Sequence, residues 1–479
     1  MRYIEGTSRS QMILFPETVD EYISDDNTVR FIEAYVNSLS MKELGFTHSE
    51  PKETGRKPYD PSDMLRLYIY GYIMKIRSSR GLENETYRNI ELMWLMKRLH
   101  PDFKTIADFR KDNIESIRKV CREFTVFCKR LNLFGSELVA IDGSKFKAVN
   151  SKGKCYTRSY IRSELEEIDK AIEKYLKEIE QTDSKEKDLS KIRIEVLQDA
   201  IENMEKEKKE IEEMLKEIEA GDKSQVSKTD SDSRMMKTAS GNYQVSYNAQ
   251  IGVDSKHHMI IESEVTNDLN DIGCLSKMAQ KSKESLGAEK LKVVSDSGYY
   301  SEKEINECQN ANIEVYVAIP QRSSNENEGR YSLSQFTYEP DSDRYICPQN
   351  KEMTYRSTYT KGERSLRKYE CSSCSWCEQK KMCTTSKGNR YIIRSEFEDT
   401  VEALRKRLKE NKDILRKRSK LVEHVFGTMK AWLGYGGGFL LKGLKKVNGE
   451  FSLIAMVYNM KRAMRILGVQ KLIESLAAP

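Results

Sequence analysis

The chain has 479 residues, of which 38% are hydrophobic and 33% charged, enough for two or three domains with a highly charged surface. The net charge of +6 is uneven, because residues 401–479 hold 17 Lys and Arg against 6 Asp and Glu. This basic segment predicts a polyanionic partner. No run of about 18 apolar residues exists, and the first residues lack the apolar core of a signal peptide, so we expect a cytoplasmic protein and no membrane span.

The first part of the chain is predicted to be helical. Pro61 opens an apolar run with the period of a helix, and proline is favoured at the first helical position. A second helix is predicted over 82–99. The short turn between them is basic and contains Arg77 and Arg80. The pair could be a DNA-binding helix-turn-helix, or part of an ordinary helical bundle with a solvated loop.

A short apolar run, Leu138–Ile141, leads directly into Asp142 and Gly143. Such a run bounded by turn residues predicts a buried strand. A carboxylate in that position costs several kcal/mol unless it is paired or binds a metal. Asp-Gly is also a common turn dipeptide. Asp142 could therefore begin a simple turn, or belong to a site completed by distant residues.

Two stretches with different periods follow. Apolar residues recur at spacings of three and four through 161–179 and 194–218, on either side of a polar loop. This pattern predicts an antiparallel coiled-coil hairpin, inserted into the core at 159–220. Strict alternation through 243–253, and a further apolar segment at 259–265, predict paired strands.

The arrangement at Asp142 occurs a second time, at Asp296. An apolar stretch ends on Asp296 and Gly298, and a helix and another strand follow, which predicts parallel pairing with a right-handed crossover. Glu423 lies on a long charged helix predicted around 400–434. Three carboxylates on a strand-rich core could converge on two divalent cations, because hard oxygen ligands suit Mg²⁺ or Mn²⁺.

These motifs resemble those of insertion-sequence DDE transposases. The likeness is carried by the segments Ile141–Ala148, Val294–Ser301, Val422–Lys430, Pro61–Asn113, Arg234–Lys237 and Tyr247–Gln250. Relatives often carry a Tyr-Arg-Glu-Lys signature. Here the glutamate and lysine match, as Glu423 and Lys430, but Arg416 and Ser419 stand at the tyrosine and arginine positions.

The resemblance implies an α/β ribonuclease-H-like catalytic core, a mixed sheet with flanking helices. The implied domains are an all-α, DNA-binding domain over 1–134, a catalytic domain over 135–470 with insertions at 159–220 and 321–395, and a tail over 471–479. Asp142, Asp296 and Glu423 would be the catalytic ligands of two Mg²⁺ or Mn²⁺ ions. Lys430 would hold a DNA phosphate, and the further residues predicted to contact DNA are Arg418, Lys420, Arg77 and Arg80.

A group of five cysteines characterises the second insertion. Its spacing is Cys371-x2-Cys374-x2-Cys377-x5-Cys383, with Cys347 upstream. In a reducing compartment, clustered thiols with CxxC spacing predict structural zinc bound by four thiolates. The alternative is a group of free thiols. We expect about one zinc per chain, bound by four of the five cysteines.

The same resemblance implies the activity and the partners. The chain would be a two-metal DNA transposase, a polynucleotidyl transferase and endonuclease that cuts transposon ends and transfers strands into target DNA. Its partners would be double-stranded DNA, as terminal inverted repeats and target, and a second copy of the chain when bound to DNA. Its place would be the nucleoid of a bacterial cytoplasm. Two alternatives are a non-catalytic DNA-binding regulator and a related nuclease without strand transfer.

Overall fold

A computed structural model describes residues 18–50, 57–150, 155–183, 189–220, 225–227, 229–238, 240–320, 329–362, 364–432 and 438–477. Within these ranges a helical block comes first, followed by a mixed sheet with flanking helices that two insertions interrupt. None of the described helices is long and apolar enough to cross a bilayer.

The helical block is a bundle built around one buried helix. Its members are α1 (Thr28–Asn37), α2 (Met41–Leu44), α3 (Pro61–Ile73), α4 (Ser79–Arg88), α5 (Ile90–Leu95), α6 (Phe103–Asp112) and α7 (Ile114–Arg130). The helix predicted from Pro61 is α3, which is buried along nearly its whole length. The single helix predicted over 82–99 is wrong. Asn89 is extended, and its side chain accepts hydrogen bonds from the backbone N–H of Glu91 and Leu92, so α4 ends and α5 begins there.

A mixed sheet forms the centre of the molecule. The strands that precede the second insertion in the chain are β1 (Leu138–Lys147), β2 (Cys155–Thr157), β3 (Gln225–Ser227), β4 (Arg234–Lys237), β5 (Tyr243–Asp254), β6 (Ile260–Thr266), β7 (Leu291–Ser295) and β8 (Ile313–Val317). Within the described ranges, β2 and β3 form a separate two-stranded sheet. In the main sheet β5 pairs antiparallel with β1 on one side and with β4 and β6 on the other, and β1, β7 and β8 run parallel. The strands predicted before Asp142 and before Asp296 are both present. The first strand does not end at Asp142, however: β1 continues to Lys147, and Asp142 and Gly143 pair with Ile251 and Gln250 of β5, so the alternative of a simple turn at Asp142 is wrong.

The first insertion is a pair of long helices, α8 (Arg158–Asp183) and α9 (Leu189–Ala220). The helices run antiparallel, because Lys208 Nζ donates to Asp169 Oδ1 at 2.6 Å and Arg162 Nη2 donates to Glu219 Oε1 at 3.3 Å. This pairing agrees with the hairpin predicted over 159–220, and its supercoiling stays a prediction. Beyond the insertion, α10 (Leu275–Leu286) follows β6, and α11 (Glu302–Asn310) connects β7 to β8.

The second insertion is a small sheet, here called the cysteine-rich module (residues 329–395). Its elements are β9 (Thr337–Glu339), β10 (Arg344–Ile346), β11 (Glu352–Lys361), β12 (Arg364–Glu370), the short helix α12 (Lys380–Cys383) and β13 (Tyr391–Ser395). The strands are antiparallel and lie in the order β9-β10-β11-β12-β13. One face covers a core of its own, centred on Tyr345, Met353 and Tyr369. The remaining part of the predicted insertion, 321–328, lies outside the described residues.

The chain then returns to the main sheet with helices. They are α13 (Glu398–Glu410), α14 (Ile414–Gly427), one π-helical turn (Thr428–Trp432), α15 (Leu444–Leu467) and α16 (Val469–Ala477). The long helix predicted around 400–434 is divided, because residues 411–413 form a turn. α15 is buried along most of its length and packs against α3, α7 and β6.

Side chains of α15 also cover the open edge of β6. Asn459 Oδ1 accepts from the Ile260 N–H at 2.8 Å, and its Nδ2 donates to the Ile260 carbonyl at 2.6 Å. Asn448 makes the same pair of bonds with Val265, each 2.8 Å long. The two asparagines are about three helical turns apart and so face the strand together. They satisfy backbone groups that an edge strand would otherwise expose.

Candidate active site

Two of the predicted acids meet at one edge of the main sheet. Ala140 and Val294 are the last residues paired in the parallel β1–β7 ladder. Asp142 and Asp296 each follow that pair by two positions. Because the strands run in the same direction, both carboxylates leave the ladder at the same edge and at the same level. Asp296 also accepts a hydrogen bond from the Gly298 N–H at 2.8 Å, which holds its carboxylate at the start of a short turn.

The environment of Asp142 disfavours its charge. The side chain is only 15% exposed. Burial raises the pKa of Asp142 to about 6, which the Arg418 guanidinium opposes and the Asp296 and Asp271 carboxylates reinforce. The Gly143 N–H donates to Asp142 Oδ1 at 3.0 Å. Crowded, partly desolvated carboxylates of this kind are characteristic of functional sites.

The third predicted acid, Glu423, is linked to Asp142 through an arginine. Glu423 lies on α14, which packs against β1 and β7, and its side chain is 65% exposed. Arg418, on the same helix, lies between the two acids. Its Nη1 is 3.4 Å from Asp142 Oδ2, and its Nη2 is 4.0 Å from Glu423 Oε1. The predicted DNA-binding arginine therefore contacts the predicted catalytic acids directly.

A fourth carboxylate, Asp271, lies at this site and is absent from the residues predicted from the sequence. Its Oδ1 accepts hydrogen bonds from Asn248 Nδ2 at 2.8 Å and from Gln250 Nε2 at 2.7 Å, and Lys145 Nζ lies 3.7 Å away. Gly143 permits this approach, because a Cβ there would lie 2.6 Å from the same oxygen. In the sequence, Asn248 and Gln250 are only two polar positions of the alternating strand; the structure shows that both are fully buried, and buried amides require partners.

The donor set at this edge suits a hard divalent cation. No three or more His, Cys, Asp or Glu side chains among the described residues are already spaced to hold a metal ion. The chemistry nevertheless fits, because carboxylate oxygens are the ligands that Mg²⁺ prefers, and burial together with repulsion from Asp296 and Asp271 raises the pKa of Asp142. A bound cation would relieve this repulsion and would replace Arg418 as the positive partner of Asp142.

Lys430 lies close to the same carboxylates. It follows α14 in the π-helical turn, and its Nζ donates to Ser144 Oγ at 2.5 Å and to the Lys145 carbonyl at 3.1 Å. The ammonium also lies 4.8 Å from the centre of the Phe146 ring. Burial lowers the pKa of Lys430, and the charge of Asp142 opposes this fall. The lysine is thus held against β1, within electrostatic reach of Asp142.

The other residues predicted to contact DNA lie in different settings. Lys420 is exposed on α14, and Arg80 is exposed near the start of α4 with its guanidinium 5.0 Å from the centre of the Phe103 ring. Arg77 is largely buried, and its Nη2 lies 2.8 Å from the fully buried Glu450 carboxylate. This ion pair joins the helical bundle to α15, which gives Arg77 a structural role.

The five clustered cysteines gather around one small cavity in the cysteine-rich module. Its lining includes Cys347, Cys371, Cys374, Cys377 and Cys383. The Lys351 N–H donates to Cys347 Sγ at 3.3 Å, a contact that stabilises a thiolate. Burial raises the pKa of Cys371 to about 11, so this thiol is neutral unless a cation draws off its proton.

Two family models match the chain. Residues 17–112 match a transposase domain (DUF772), and residues 346–464 match a transposase DDE domain. The first match covers most of the helical bundle. The second runs from the cysteine-rich module into α15 and contains Glu423 and Lys430.

The chain is also similar to one solved structure, and no curated protein matches it. That structure is a cryo-EM structure of a piggyBac transposase synaptic complex with hairpin DNA. The identity is 8%, the alignment covers 94% of this chain and 79% of that one, and the TM-score is 0.31. A likeness at that score carries no argument about fold or function.

Proposed function

Because the chain belongs to the insertion-sequence DDE transposases, we propose that it cuts DNA at the ends of its own element and joins the freed 3′ ends to target DNA. The observation that carries this proposal is that Asp142 and Asp296 follow the same pair of the parallel β1–β7 ladder, with Glu423 linked to Asp142 through Arg418. The order and directions of the strands in the main sheet support assigning it to the ribonuclease-H-like fold. The proposed substrates are double-stranded terminal repeats and target DNA.

DDE transposases generally use divalent metals, and Asp142, Asp296 and Glu423 are the residues that would hold two Mg²⁺ or Mn²⁺ ions here. Such ions supply Lewis acidity, which activates an attacking oxygen and offsets the charge that develops at the scissile phosphate. The protein sets the carboxylates in place, two on neighbouring parallel strands and one on α14. A cation bound at Asp142 would replace Arg418 as its positive partner, and the guanidinium would then be available to a DNA phosphate.

Lys430 would bind a phosphate beside the reacting group. Its ammonium is already held near Asp142 by Ser144, so little side-chain freedom is lost when DNA arrives. Lys420 and Arg80 are exposed and would contact the backbone further away. Two element ends must be held together during transposition, and a homodimer on DNA, in the bacterial nucleoid, is the arrangement that we propose for this.

Structural zinc in the cysteine-rich module is a separate part of the proposal. Four of the cysteines Cys347, Cys371, Cys374, Cys377 and Cys383 would bind one ion. The support is that all five line one cavity, and that a backbone N–H already points at the sulfur of Cys347.

The decisive test is Mg²⁺-dependent cleavage and joining of DNA that carries the element's own terminal repeats. We expect the wild type to do both, and Asp142→Asn or Asp296→Asn to lower both rates by about a hundredfold or more, since each change removes a charge that holds the cations. Asp413→Asn is the matched control, because Asp413 immediately precedes α14 and its side chain is 79% exposed and pairs with Arg416.

The outcomes separate the alternatives. Full activity of Asp142→Asn would refute the assigned site. Cleavage without joining by the wild type would identify a nuclease, and DNA binding without either reaction would identify a regulator.

A further inference from the structure

The cysteine-rich module is basic, and the active site does not account for this charge. Residues 329–395 contain 13 Lys and Arg against 7 Asp and Glu. With the basic segment 401–479, this leaves the remainder of the chain with a net charge of −11. Most of the positive excess therefore lies in these two segments, and one of them is an insertion.

The two faces of the module's sheet differ in exposure. Tyr369 and Ile392 pair across β12 and β13 and are buried in the module's own core. The alternate positions point away from that core. We define the outer face as Arg356, Ser357, Tyr359, Leu366, Lys368, Tyr391, Ile393 and Ser395, together with Glu370. Tyr359 is 39% exposed, Tyr391 50% and Ile393 40%, so the face is open to solvent.

The chemistry of the outer face suits phosphate. Arg356 is 56% exposed, and Lys368 lies with its Nζ 4.6 Å from the centre of the Tyr391 ring. Arg356 Nε and Lys368 Nζ lie 3.7 and 3.9 Å from the same oxygen, Glu370 Oε2. The two cations and the one carboxylate therefore keep a net positive charge. Lysine, arginine, serine and tyrosine are the side chains that contact DNA phosphates. The aliphatic side chains of the face, Leu366 and Ile393, lie among charged side chains, whereas the centre of a protein interface is depleted of charged residues.

One end of the module's sheet lies against α11, the helix that follows Asp296 in the chain. β11 and β12 are joined at a hairpin tip that contains Lys361 and Arg364. Arg364 Nη1 lies 3.9 Å from Glu302 Oε2, and Glu302 is the first residue of α11, six positions after Asp296. DNA bound at the carboxylates could therefore continue along the sheet without leaving the protein surface.

We propose that the outer face of the cysteine-rich module binds the phosphate backbone of double-stranded DNA next to the catalytic carboxylates, without reading its sequence. This inference rests on the proposed function, because it identifies a second contact with the same substrate. It assigns the module a role in holding DNA, in addition to any zinc that stabilises it.

The test is the affinity of the full chain for a fluorescently labelled DNA duplex of arbitrary sequence, measured by anisotropy over a range of salt concentrations. The variant Arg356→Glu/Lys368→Glu should bind the duplex about tenfold more weakly or worse, and the slope of log K against log salt should be smaller by about 2, because two phosphate contacts are lost. The control is Lys170→Glu/Lys174→Glu, an equal change of charge at exposed positions of α8, which should bind like the wild type. Thermal unfolding of each variant shows whether it is folded.

Each further outcome decides the inference. A folded Arg356→Glu/Lys368→Glu variant with wild-type affinity for duplex would overturn it and leave the cleavage test of Asp142→Asn unaffected. A change in oligomeric state without a change in affinity would also overturn it, because the face would then be a protein interface. A variant that loses affinity for single-stranded DNA but not for duplex would also overturn it. If the Arg356→Glu/Lys368→Glu variant binds duplex more weakly than the wild type, but the wild type neither cuts nor joins DNA, the DNA-binding surface is upheld and the proposed function fails.

Discussion

Single residues at the active site show what an acid in a buried strand costs. Asp142 is buried, and the charged groups near it are the Asp296 and Asp271 carboxylates and the Arg418 guanidinium. The guanidinium offsets only part of the rise in pKa that burial and the two carboxylates cause. Its ordinary pKa is 3.8, and its pKa in the folded chain is about 6. Between these values the folded state binds more protons than the unfolded state, so stability falls as the pH rises through this window.

This shift predicts a pH-dependent gain in stability for Asp142→Asn. Above about pH 7, in chelator, the variant should be more stable than the wild type by about 2 kcal/mol, because the wild type must ionise a buried carboxyl and the variant does not. Near pH 3, below both pKa values, the difference should vanish. Thermal or urea unfolding at both pH values measures it, with the exposed Asp413→Asn as the control. Parallel stability curves for wild type and Asp142→Asn would contradict the assignment of this pKa.

At the scale of elements, the close approach of helices depends on single glycines. Gly449 lies in α15 where that helix crosses α7, and a Cβ there would lie 2.3 Å from Cγ1 of Ile114. Gly427 lies in α14, and among the described residues nothing lies within 4 Å of a Cβ at that position. The same substitution should therefore have opposite effects in the two helices.

Alanine in place of each glycine tests this contrast. Gly449→Ala should destabilise the chain by about 1–3 kcal/mol, because Ile114 and α7 must move to admit the methyl group. Gly427→Ala should stabilise it by about 0.5–1 kcal/mol, because alanine loses less backbone entropy than glycine when a helix forms. Urea unfolding of the two variants provides the comparison. A stabilised Gly449→Ala variant would show that α7 and α15 do not pack as closely as this contact requires.

Elements were predicted well where one local signal dominates. The apolar runs before Asp142 and Asp296 and the proline at the start of α3 each place an element correctly. Helix ends were predicted less well, because they depend on individual caps and turns. Asn89 divides one predicted helix by capping the next, and residues 411–413 divide another.

The molecule as a whole has separate hydrophobic cores. The bundle, the main sheet and the C-terminal helices share one core, whereas the cysteine-rich module packs around its own small one. A core of this size supplies little stability, and small domains of this kind are commonly stabilised by metal ions. The proposed zinc should therefore matter to the module far more than to the rest of the chain.

Metal removal tests this separation. Protein purified without added zinc should contain about one zinc per chain, and Cys374→Ser/Cys377→Ser should contain none, because it removes two thiolate ligands. In this variant the cysteine-rich module should unfold at a lower temperature than in the wild type, and the unfolding temperature of the rest of the chain should not change. Cys121→Ser, a change in α7 far from the cluster, is the control. Wild-type protein with no zinc by elemental analysis would refute the proposed site.

The sequence alone determined that Asp142 and Asp296 each follow a buried apolar run, because strands and helices are set largely by local apolar periodicity. Glu423 lies on a helix, and it was selected through the resemblance of Val422–Lys430 to a transposase motif. Only the tertiary structure decided which partners these side chains meet. Arg418 contacts Asp142, and Asp271 is held against Gly143 by two buried amides. Arg77 is drawn into an ion pair with Glu450, 373 positions away. Such partners depend on how distant elements pack, and local patterns do not encode this packing.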